Sequence, residues 1–504
     1  MLDEPRQNAR PRRMLRALAR LLLSGMIAVA AAACQPPGDE AVDVTVIGED
    51  APALADPSAV TLPAPGEVLL ANVAQGLVRF DAHGQIEPGL AERWNVSDDG
   101  LSYIFRLASG DWPDGRAINA RDVARLLNRQ LRAASRNPLK DTLGAVSEIV
   151  AMTDRVIEIR LSAPRPNLLQ LLAQPQLAVV REGQGTGPFV IDEKQDMPGA
   201  IAMTRTVPVL DDEDRVEHLH LRSAAAGQAI SQFRQGKATL VLGGTFADLP
   251  LVPRSDRNLG NALRFDPVAG LFGLIPARRG GPLADRQLRA LLNRAINREA
   301  LIAALDVPSL VPRTTVLQAG LEGGLNPSVP AWATEPFAER QARAAAEARQ
   351  ALGDAEPLRL GIALPAGRGA DRLFQRLAAD WRRLGIELVR AGSGVPADLK
   401  LIDQVAPSSS PAWIVRSFRC EIVPLCSEEA DEQMAAARTS LGGSDRAALL
   451  AEAGRLIDED VLFMPIAAPV RWSLVADGLP GFAENIFGRH PLSGLRERPG
   501  RERQ

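Results

Sequence analysis

The chain has 504 residues, 46% of them hydrophobic, so it is long enough for several domains with large buried cores. Its formal net charge of -3 argues against nucleic-acid binding, which depends on a basic surface. Residues 1–33 carry six arginines against two acids, so the remaining chain is mildly acidic.

The N-terminal segment has the pattern of an export signal. An uncharged apolar run over residues 21–33 follows the basic residues and is too short to span a bilayer. We predict a signal peptide at residues 1–33, with Met14 as an alternative start. The small residues before Cys34 resemble a bacterial lipobox, in which the cysteine is acylated, although Ala31 replaces the usual Leu and leaves plain cleavage as the alternative. Residues 34–40 then form a flexible tether.

The first predicted elements are strands. Valines alternate along "VDVTVI", residues 42–47, which indicates a strand with one buried side. The stretch "RWNVSDDGLSYIFRL", residues 93–107, predicts a hairpin, because residues 97–100 have turn chemistry. The apolar residues of its second strand recur with period two: Leu101, Tyr103, Phe105 and Leu107.

A helix follows the hairpin. Asn119 is its predicted cap, with Asp122 three residues on, and its apolar stripe consists of Val123, Leu126, Leu127 and Leu131. Further strands are predicted at residues 155–161, 217–222, 238–243, 358–364 and 386–392. Further helices are predicted around residues 284–305, 336–353, 369–384, 428–439 and 444–459. This mixture indicates an α/β architecture.

One long run carries a family resemblance. "QGLVRFDAHGQIEPGLAERWNVSDDGLSYIFRLASGDWPDGRAINARDV" resembles the most distinctive run of the family 5 solute-binding proteins of ABC transporters, the peptide, dipeptide and nickel group. Weaker matches follow in the family's order: "GTGPF", "LADRQLRALLNRAINREAL", "LAADWRRLGIELV", "DEQMAAAR" and "RLIDEDVLFMPI". The resemblance therefore spans roughly residues 41–495.

The resemblance implies a two-lobed periplasmic-binding-protein type II clamshell with an additional inserted domain. By analogy, lobe I combines residues 41–80, 185–275 and 465–504, the inserted domain covers 81–184, and lobe II covers 276–464. The hairpin then belongs to the inserted domain and serves as scaffold.

Ligands of such proteins lie between the lobes. Family members use an acid in a tryptophan-containing segment of the second lobe to pair with a peptide's amino group. The corresponding stretch, "DLKLIDQVAPSSSPAWIVRSFRC", has no acid at that position. The nearest one is Asp403, for which a strand-end or hinge role is at least as plausible. Without a buried carboxylate, binding of an α-ammonium group is disfavoured.

Two arginines near a tryptophan offer a different chemistry. Arg416 and Arg419 follow Trp413, a combination suited to a carboxylate, phosphate or planar ligand. The alternative is that both arginines are solvated and Trp413 packs in the core. Asn72 and Gln75 lie in "ANVAQGLV", a segment that lines the cleft in relatives. We therefore predict five ligand-binding residues: Asn72, Gln75, Trp413, Arg416 and Arg419.

Cysteine and histidine patterns bear on disulfides and metals. Cys420 and Cys426 stand close together with no histidine nearby, so in an exported protein we predict a disulfide. His218 and His220 share one face of a strand, and acids precede them at residues 211–214. Because Leu219 and Leu221 would occupy the core face, we expect the histidines to face solvent, and we predict no metal and no cofactor.

These patterns predict an extracytoplasmic binding lipoprotein at the periplasmic or cell-surface face. It would be a monomer that captures a small peptide-like or anionic solute by hinge closure for an ABC permease and ATPase complex. Hydrolase, P-loop and zinc-protease motifs are absent, so we expect no enzyme. The alternative is an envelope sensor or assembly partner without transport, favoured by the missing acid and by the low aromatic content of 4%.

Overall fold

The computed structural model describes residues 41–495 except 196, 210–212, 322–323, 325–326, 328, 354–355 and 393. The predicted signal peptide and Cys34 lie outside the described residues. The described chain divides into two units: one holds Ala41 and residues of the segment 206–218, and the other holds residues 42–205 and 219–495. The first unit contributes the last residues of one strand and the first residues of the next. Apart from these strand ends, the sheets, cores and cavities discussed below lie in the second unit.

The strands of the described chain are β1 Val42–Ile47, β2 Val78–Phe80, β3 Ile86–Pro88, β4 Ala91–Val96, β5 Ser102–Leu107, β6 Val146–Thr153, β7 Val156–Leu161, β8 Val190–Ile191, β9 Ala200–Val207, β10 Arg215–Ala224, β11 Leu240–Thr245, β12 Leu263–Phe265, β13 Gly270–Pro276, β14 Leu358–Ala363, β15 Ile386–Arg390, β16 Leu399–Val405, β17 Met464–Ala467 and β18 Arg471–Val475.

The helices of the described chain are α1 Ala64–Val73, α2 Ala120–Leu131, α3 Leu168–Leu172, α4 Ala226–Arg234, α5 Arg257–Ala262, α6 Arg286–Arg294, α7 Arg298–Leu305, α8 Phe337–Leu352, α9 Arg368–Arg382, α10 Pro411–Arg416, α11 Glu428–Thr439 and α12 Gly443–Glu459. None of the helices in the described part of the chain is long and apolar enough to cross a membrane.

The first lobe is built on a seven-stranded sheet in the order β12-β18-β11-β1-β10-β9-β8. Strand β1 is central because it pairs in parallel with β10 on one side and β11 on the other. The predicted valine face of β1 is buried, and Thr45 on the opposite face is buried as well. Parallel strands are covered on both faces, which explains why this strand is more buried than its alternation indicates.

The second lobe is built on a five-stranded sheet in the order β15-β14-β16-β13-β17. Its strand β13 is buried at every position, between antiparallel partners β16 and β17. Two short connections join the sheets: residues 266–269 run from β12 to β13, and residues 468–470 run from β17 to β18. This pair of connections is the hinge that a two-lobed fold requires.

The hairpin lies in a separate four-stranded antiparallel sheet, β4-β5-β7-β6, which belongs to the inserted domain. Tyr103, Phe105 and Leu107 point into its core, as their period-two spacing predicts. The predicted cap of helix α2 is also confirmed, because the Asn119 side chain accepts a hydrogen bond from the Asp122 backbone N–H at 2.9 Å. Local sequence signals thus set this part of the fold.

One predicted helix, residues 284–305, is wrong as a single element. The structure has two helices there, α6 and α7, which break at Asn297. The Asn297 side chain accepts from the Ala300 backbone N–H at 3.0 Å, and the Asn297 backbone N–H donates to the Asp380 carboxylate at 2.9 Å. The Asn297 side chain and the distant Asp380 carboxylate thus accept hydrogen bonds from free backbone N–H groups at the break, so a second helix begins there.

The two sheets and the inserted sheet confirm the predicted α/β class and the two-lobed architecture with an additional domain. Distinct clusters of buried apolar side chains support the first lobe, the second lobe and the inserted domain. A further large cluster includes residues from both lobes, such as Phe246 of the first and Leu360 of the second. The predicted boundaries of the domains stay a prediction.

Candidate functional site

The larger cavity has a volume of about 650 Å³ and draws its walls from both lobes and the inserted domain. The first lobe supplies parts of α1, β11 and β18, the second lobe supplies residues 403–407 at the end of β16, and the inserted domain supplies residues 173–176. This volume lies in the range of small-molecule binding sites. We call it the cleft cavity.

Gln75 lies in the wall of the cleft cavity, and its predicted contact with a ligand stays a prediction. Its side-chain amide donates to the Thr186 carbonyl oxygen at 2.6 Å, which fixes its position beside the segment 185–189. The neighbouring Gly76 has no room for a side chain, because a Cβ there would lie 2.6 Å from the Leu172 carbonyl oxygen. Close backbone packing therefore shapes this edge of the cavity.

Asp403 and Arg471 join the two lobes in the cavity wall. Asp403 stands on β16 of the second sheet and Arg471 on β18 of the first, and the Arg471 guanidinium donates to the Asp403 carboxylate at 2.8 Å. Burial raises the pKa of the Asp403 carboxyl, an effect that the Arg471 charge opposes. This acid is engaged across the hinge, which agrees with the hinge alternative of the sequence analysis.

The other acids of the wall are also paired. Glu67 forms an ion pair with Arg489 at 2.5 Å and accepts a hydrogen bond from the Gln176 side chain. Asp266 lies 3.0 Å from the His490 ring nitrogen and accepts from a backbone N–H. Among the described lining residues, every carboxylate therefore has a basic partner within the wall.

Apolar and aromatic side chains make up much of the remaining wall. Phe80 and Phe487 stack with ring centroids 4.5 Å apart, and Trp472 is held by a hydrogen bond of 2.8 Å from its indole N–H to the Thr245 carbonyl oxygen. Such rigid faces suit the apolar body of a ligand. The cleft cavity thus combines an apolar interior with internally neutralised charges.

A smaller cavity of about 40 Å³ lies between the inserted domain and the second lobe. Trp413 lines both cavities. We call the smaller one the arginine cavity, because four arginines line it: Arg165, Arg416, Arg438 and Arg446.

Arg416 lies in the arginine cavity and not in the cleft cavity. It is partly buried, and desolvation together with the neighbouring Arg419 and Arg438 charges lowers its pKa to about 10. Arg419 is not among the described lining residues of either cavity, and its guanidinium lies 3.4 Å from Glu421. The two arginines that the sequence analysis grouped together are neighbours, but only Arg416 is among the described lining residues of a cavity.

Asn72 has a structural position. It is fully buried, its side-chain N–H donates to the Val68 carbonyl oxygen at 2.8 Å, and its side-chain oxygen accepts from the Leu492 N–H at 2.9 Å. It is not among the described residues that line the cleft cavity. Its ligand contact stays a prediction, and the geometry favours a role in packing.

A row of amides on and around α3, which was not predicted from the sequence, joins the inserted domain to the second lobe. Asn167 donates to the Ser408 hydroxyl at 2.8 Å, and Gln174 donates to the Pro407 carbonyl oxygen at 2.8 Å. Between them, Gln170 accepts from the backbone N–H of residue 409 at 2.9 Å. Their spacing of three and four residues, which places side chains on one helical face, was the available signal. The row holds the inserted domain against residues 407–409 of the second lobe.

The remaining sequence predictions concern covalent and metal chemistry. Cys420 and Cys426 are joined by a disulfide, with their Cα atoms 5.0 Å apart. His220 is half-buried and lies 3.2 Å from the Asp43 carboxylate. Within the described residues, no group of three or more histidines, cysteines and acids is placed to hold a metal ion.

Comparison with known proteins gives one family match and several relatives. Residues 85–389 match the model of the bacterial extracellular solute-binding proteins, family 5, middle region. The chain is 25% identical, over 66% of its length and 67% of the relative's, to a probable deoxycholate-binding periplasmic protein of Escherichia coli. It is 23% identical, over 83% and 88% of the two lengths, to a probable di/tripeptide-binding protein of Pseudomonas aeruginosa.

Solved structures share the fold at lower sequence identity. Haemophilus influenzae OppA in complex with the peptide RPPGFSPFR superposes with a TM-score of 0.77 at 17% identity, covering 91% of this chain and 99% of that one. The murein tripeptide binding protein of Escherichia coli gives a TM-score of 0.76 at 17% identity, covering 90% and 98%. At this identity the likeness shows the fold alone.

Proposed function

Because the chain belongs to the family 5 bacterial extracellular solute-binding proteins, we propose that it captures a small solute in the cleft cavity for an ABC importer. The observation that carries this proposal is the cavity of about 650 Å³ whose walls come from two sheets joined by two short connections. Rotation about these connections closes the lobes on the solute and replaces water with protein contacts. Capture and release of the solute involve no covalent step.

The solute that best suits the cleft cavity has an apolar body and no ammonium group. Among the described lining residues, each of the acids Glu67, Asp266 and Asp403 already has a basic partner, so a peptide's α-ammonium group finds no uncommitted carboxylate there. The stacked pair Phe80 and Phe487 favours an apolar surface. Deoxycholate, which one relative is named for binding, has an apolar body and a carboxylate.

The proposal includes export, anchoring and delivery. The basic and apolar N-terminal pattern supports a signal peptide, and Cys34 within a lipobox-like motif supports a lipid anchor at the periplasmic or cell-surface face. The protein works as a monomer that presents its closed lobes to a permease and ATPase complex. Export and anchoring are inferred from the N-terminal sequence pattern, and delivery to a permease is inferred from membership of the family.

Native mass spectrometry of protein purified gently from an exporting host tests the capture of a solute. We expect a reproducible added mass that disappears after unfolding and refolding. Ala71→Trp places a large side chain at the cavity wall on α1 and should abolish the added mass. Ala379→Trp, at an exposed position on α9, is the matched control and should retain it.

A contrary result would be equally informative. If wild-type protein carries no added mass, and if di- and tripeptides, bile acids and other small anions leave its thermal unfolding unchanged, then the cleft is not a capture site. That result would favour the alternative function, an envelope sensor or assembly partner without transport.

A further inference from the structure

The arginine cavity brings positive charges together from four segments of the chain. Arg165 precedes α3 in the inserted domain, Arg416 ends α10, Arg438 is in the last turn of α11, and Arg446 is in the first turns of α12. Among the described residues that line the cavity there is no Asp or Glu. The rest of its polar wall consists of hydroxyl and amide groups, which also donate hydrogen bonds.

Two acids outside the lining act on Arg416 through their charge. Asp141 and Glu421 act on Arg416 from outside the lining, while Arg419 and Arg438 oppose its charge. Within the described chain, the Arg416 guanidinium has no hydrogen-bonded carboxylate of the kind that Arg471 and Arg489 have in the cleft cavity. A partly buried guanidinium in this setting is stabilised by an anion that brings its own negative charge.

Asn167 supplies a second and independent observation. The residue is only 6% exposed and lines the arginine cavity, and its side-chain oxygen is a buried acceptor without a hydrogen-bond partner. Rotating this amide by half a turn lets its oxygen accept from the Ser408 hydroxyl, which now accepts from its nitrogen. The amide N–H group is then available to an acceptor in the cavity, so a bound oxyanion satisfies a group that is otherwise unpaired.

The size of the cavity limits what enters. A volume of about 40 Å³ holds the equivalent of about three water molecules, which suits a small oxyanion and excludes a bulky ligand. Guanidinium groups bind phosphate and carboxylate through paired hydrogen bonds. We propose that the arginine cavity is an oxyanion-binding site that takes a phosphate, sulfate or carboxylate group between the inserted domain and the second lobe.

The oxyanion has two sources in this geometry. It is either a free inorganic ion, or the acidic group of the solute held in the cleft cavity, because Trp413 forms a wall of both cavities. The second source rests on the proposed function, and the first does not. In either case the anion joins the inserted domain to the second lobe through Arg165 and Arg416.

Thermal unfolding in sodium phosphate, compared with sodium chloride of the same ionic strength at pH 7, tests the site. Phosphate stabilises folded proteins in general, so the informative quantity is the difference between variants. In wild-type protein we expect a saturable rise of the midpoint. In Arg416→Gln we expect the apparent affinity for phosphate to fall about tenfold or more, because charge-assisted hydrogen bonds are lost.

Two further variants keep the test decisive. Asn167→Asp places a carboxylate of nearly the same shape in the wall, so it should stabilise the protein in chloride and remove the specific response to phosphate. Arg382→Gln, at an exposed position of α9, is the matched control and should respond as wild type does. An equal response in all four proteins, or no specific response in wild type, overturns the proposal.

Native mass spectrometry then separates the two sources. If Arg416→Gln loses the co-purified solute together with the phosphate response, the site holds the solute's acidic group. If it keeps the solute and loses only the phosphate response, the site holds a free oxyanion. A protein without any solute but with an Arg416-dependent phosphate response contradicts the proposed function and leaves this site standing.

Discussion

The cleft cavity and the arginine cavity share Trp413 and differ in how their arginines are partnered. In the cleft cavity, Arg471 meets Asp403 at 2.8 Å and Arg489 meets Glu67 at 2.5 Å. In the arginine cavity, the described lining residues include four arginines and no acid.

This difference indicates which charges serve the fold and which are available to a ligand. Arg471 and Arg489 of the cleft cavity are neutralised by acids of the same wall, so these ion pairs stabilise the walls and contribute little net charge to a solute. The described lining of the arginine cavity gathers four arginines without an acid, so it attracts an anion. The cleft cavity therefore supplies apolar contact, and the arginine cavity supplies the charge.

Breaking the ion pair across the hinge should have the largest effect. Arg471→Met leaves the Asp403 carboxylate buried without its cation, and we expect a loss of about 3–5 kcal/mol in the free energy of unfolding at pH 7. Urea unfolding measures this loss. The double variant with Asp403→Asn should recover most of it, because no unpaired charge then remains.

The same variant has a defined pH dependence. Burial raises the pKa of Asp403 in the folded protein, so its ionisation opposes folding as the pH rises through that pKa. Removing Arg471 raises the folded pKa further. The loss caused by Arg471→Met should therefore shrink between pH 7 and about pH 4, near the pKa of the unfolded carboxyl. An equal loss at both pH values would contradict the paired-charge account of the cleft cavity.

The disulfide lies close in sequence to α10, which carries Arg416. Cys420→Ser with Cys426→Ser opens a short loop, and a chain-entropy estimate gives a loss of about 2 kcal/mol. We expect the co-purified solute to stay bound, because neither cysteine is among the described lining residues of the cleft cavity. Loss of the solute in the double serine variant would show that the two regions are mechanically coupled.

Arg416→Gln should raise the free energy of unfolding, whereas Arg471→Met should lower it. In chloride, removal of one of four like charges should raise the free energy of unfolding by about 1 kcal/mol, a value that allows for solvent screening of a partly exposed group. Urea unfolding in chloride checks it, with Arg382→Gln as control. A clear loss of stability would mean that Arg416 is neutralised within the protein.

The smallest effect is expected at the contact between the inserted domain and the second lobe. Gln170→Ala removes the acceptor for the backbone N–H of Ser409, a partly exposed contact of 2.9 Å. We expect a loss of about 0.5 kcal/mol and a faster release of the solute. Native mass spectrometry after timed dilution measures that release. If the rate of solute release is unchanged, the Gln170 contact does not control the opening of the cleft.

Features set by nearby residues could be predicted from the sequence. The hairpin, the cap at Asn119 and the valine strand β1 depend on alternation and on turn or cap chemistry within a few residues. Gln75 and Trp413 were placed in cavity walls on the strength of a family resemblance. The break at Asn297 was missed because it depends on Asp380, which is far away in the sequence.

The partners of the charged groups could not be predicted. Arg489 and Glu67 are separated by 422 positions, and Asp403 and Arg471 by 68 positions, so no spacing rule connects them. For the same reason, Arg416 and Arg419 looked equivalent in the sequence and occupy different surroundings in the fold. Tertiary contacts decide which arginine is free to meet a ligand.

Crystals of the wild-type protein soaked in selenate would test the central contrast most directly, because selenium reports the position of the oxyanion by anomalous scattering. The account predicts an anomalous peak in the arginine cavity, within hydrogen-bond distance of the Arg416 guanidinium. A peak at Arg471 or Arg489 in the cleft cavity, with none at Arg416, would contradict it.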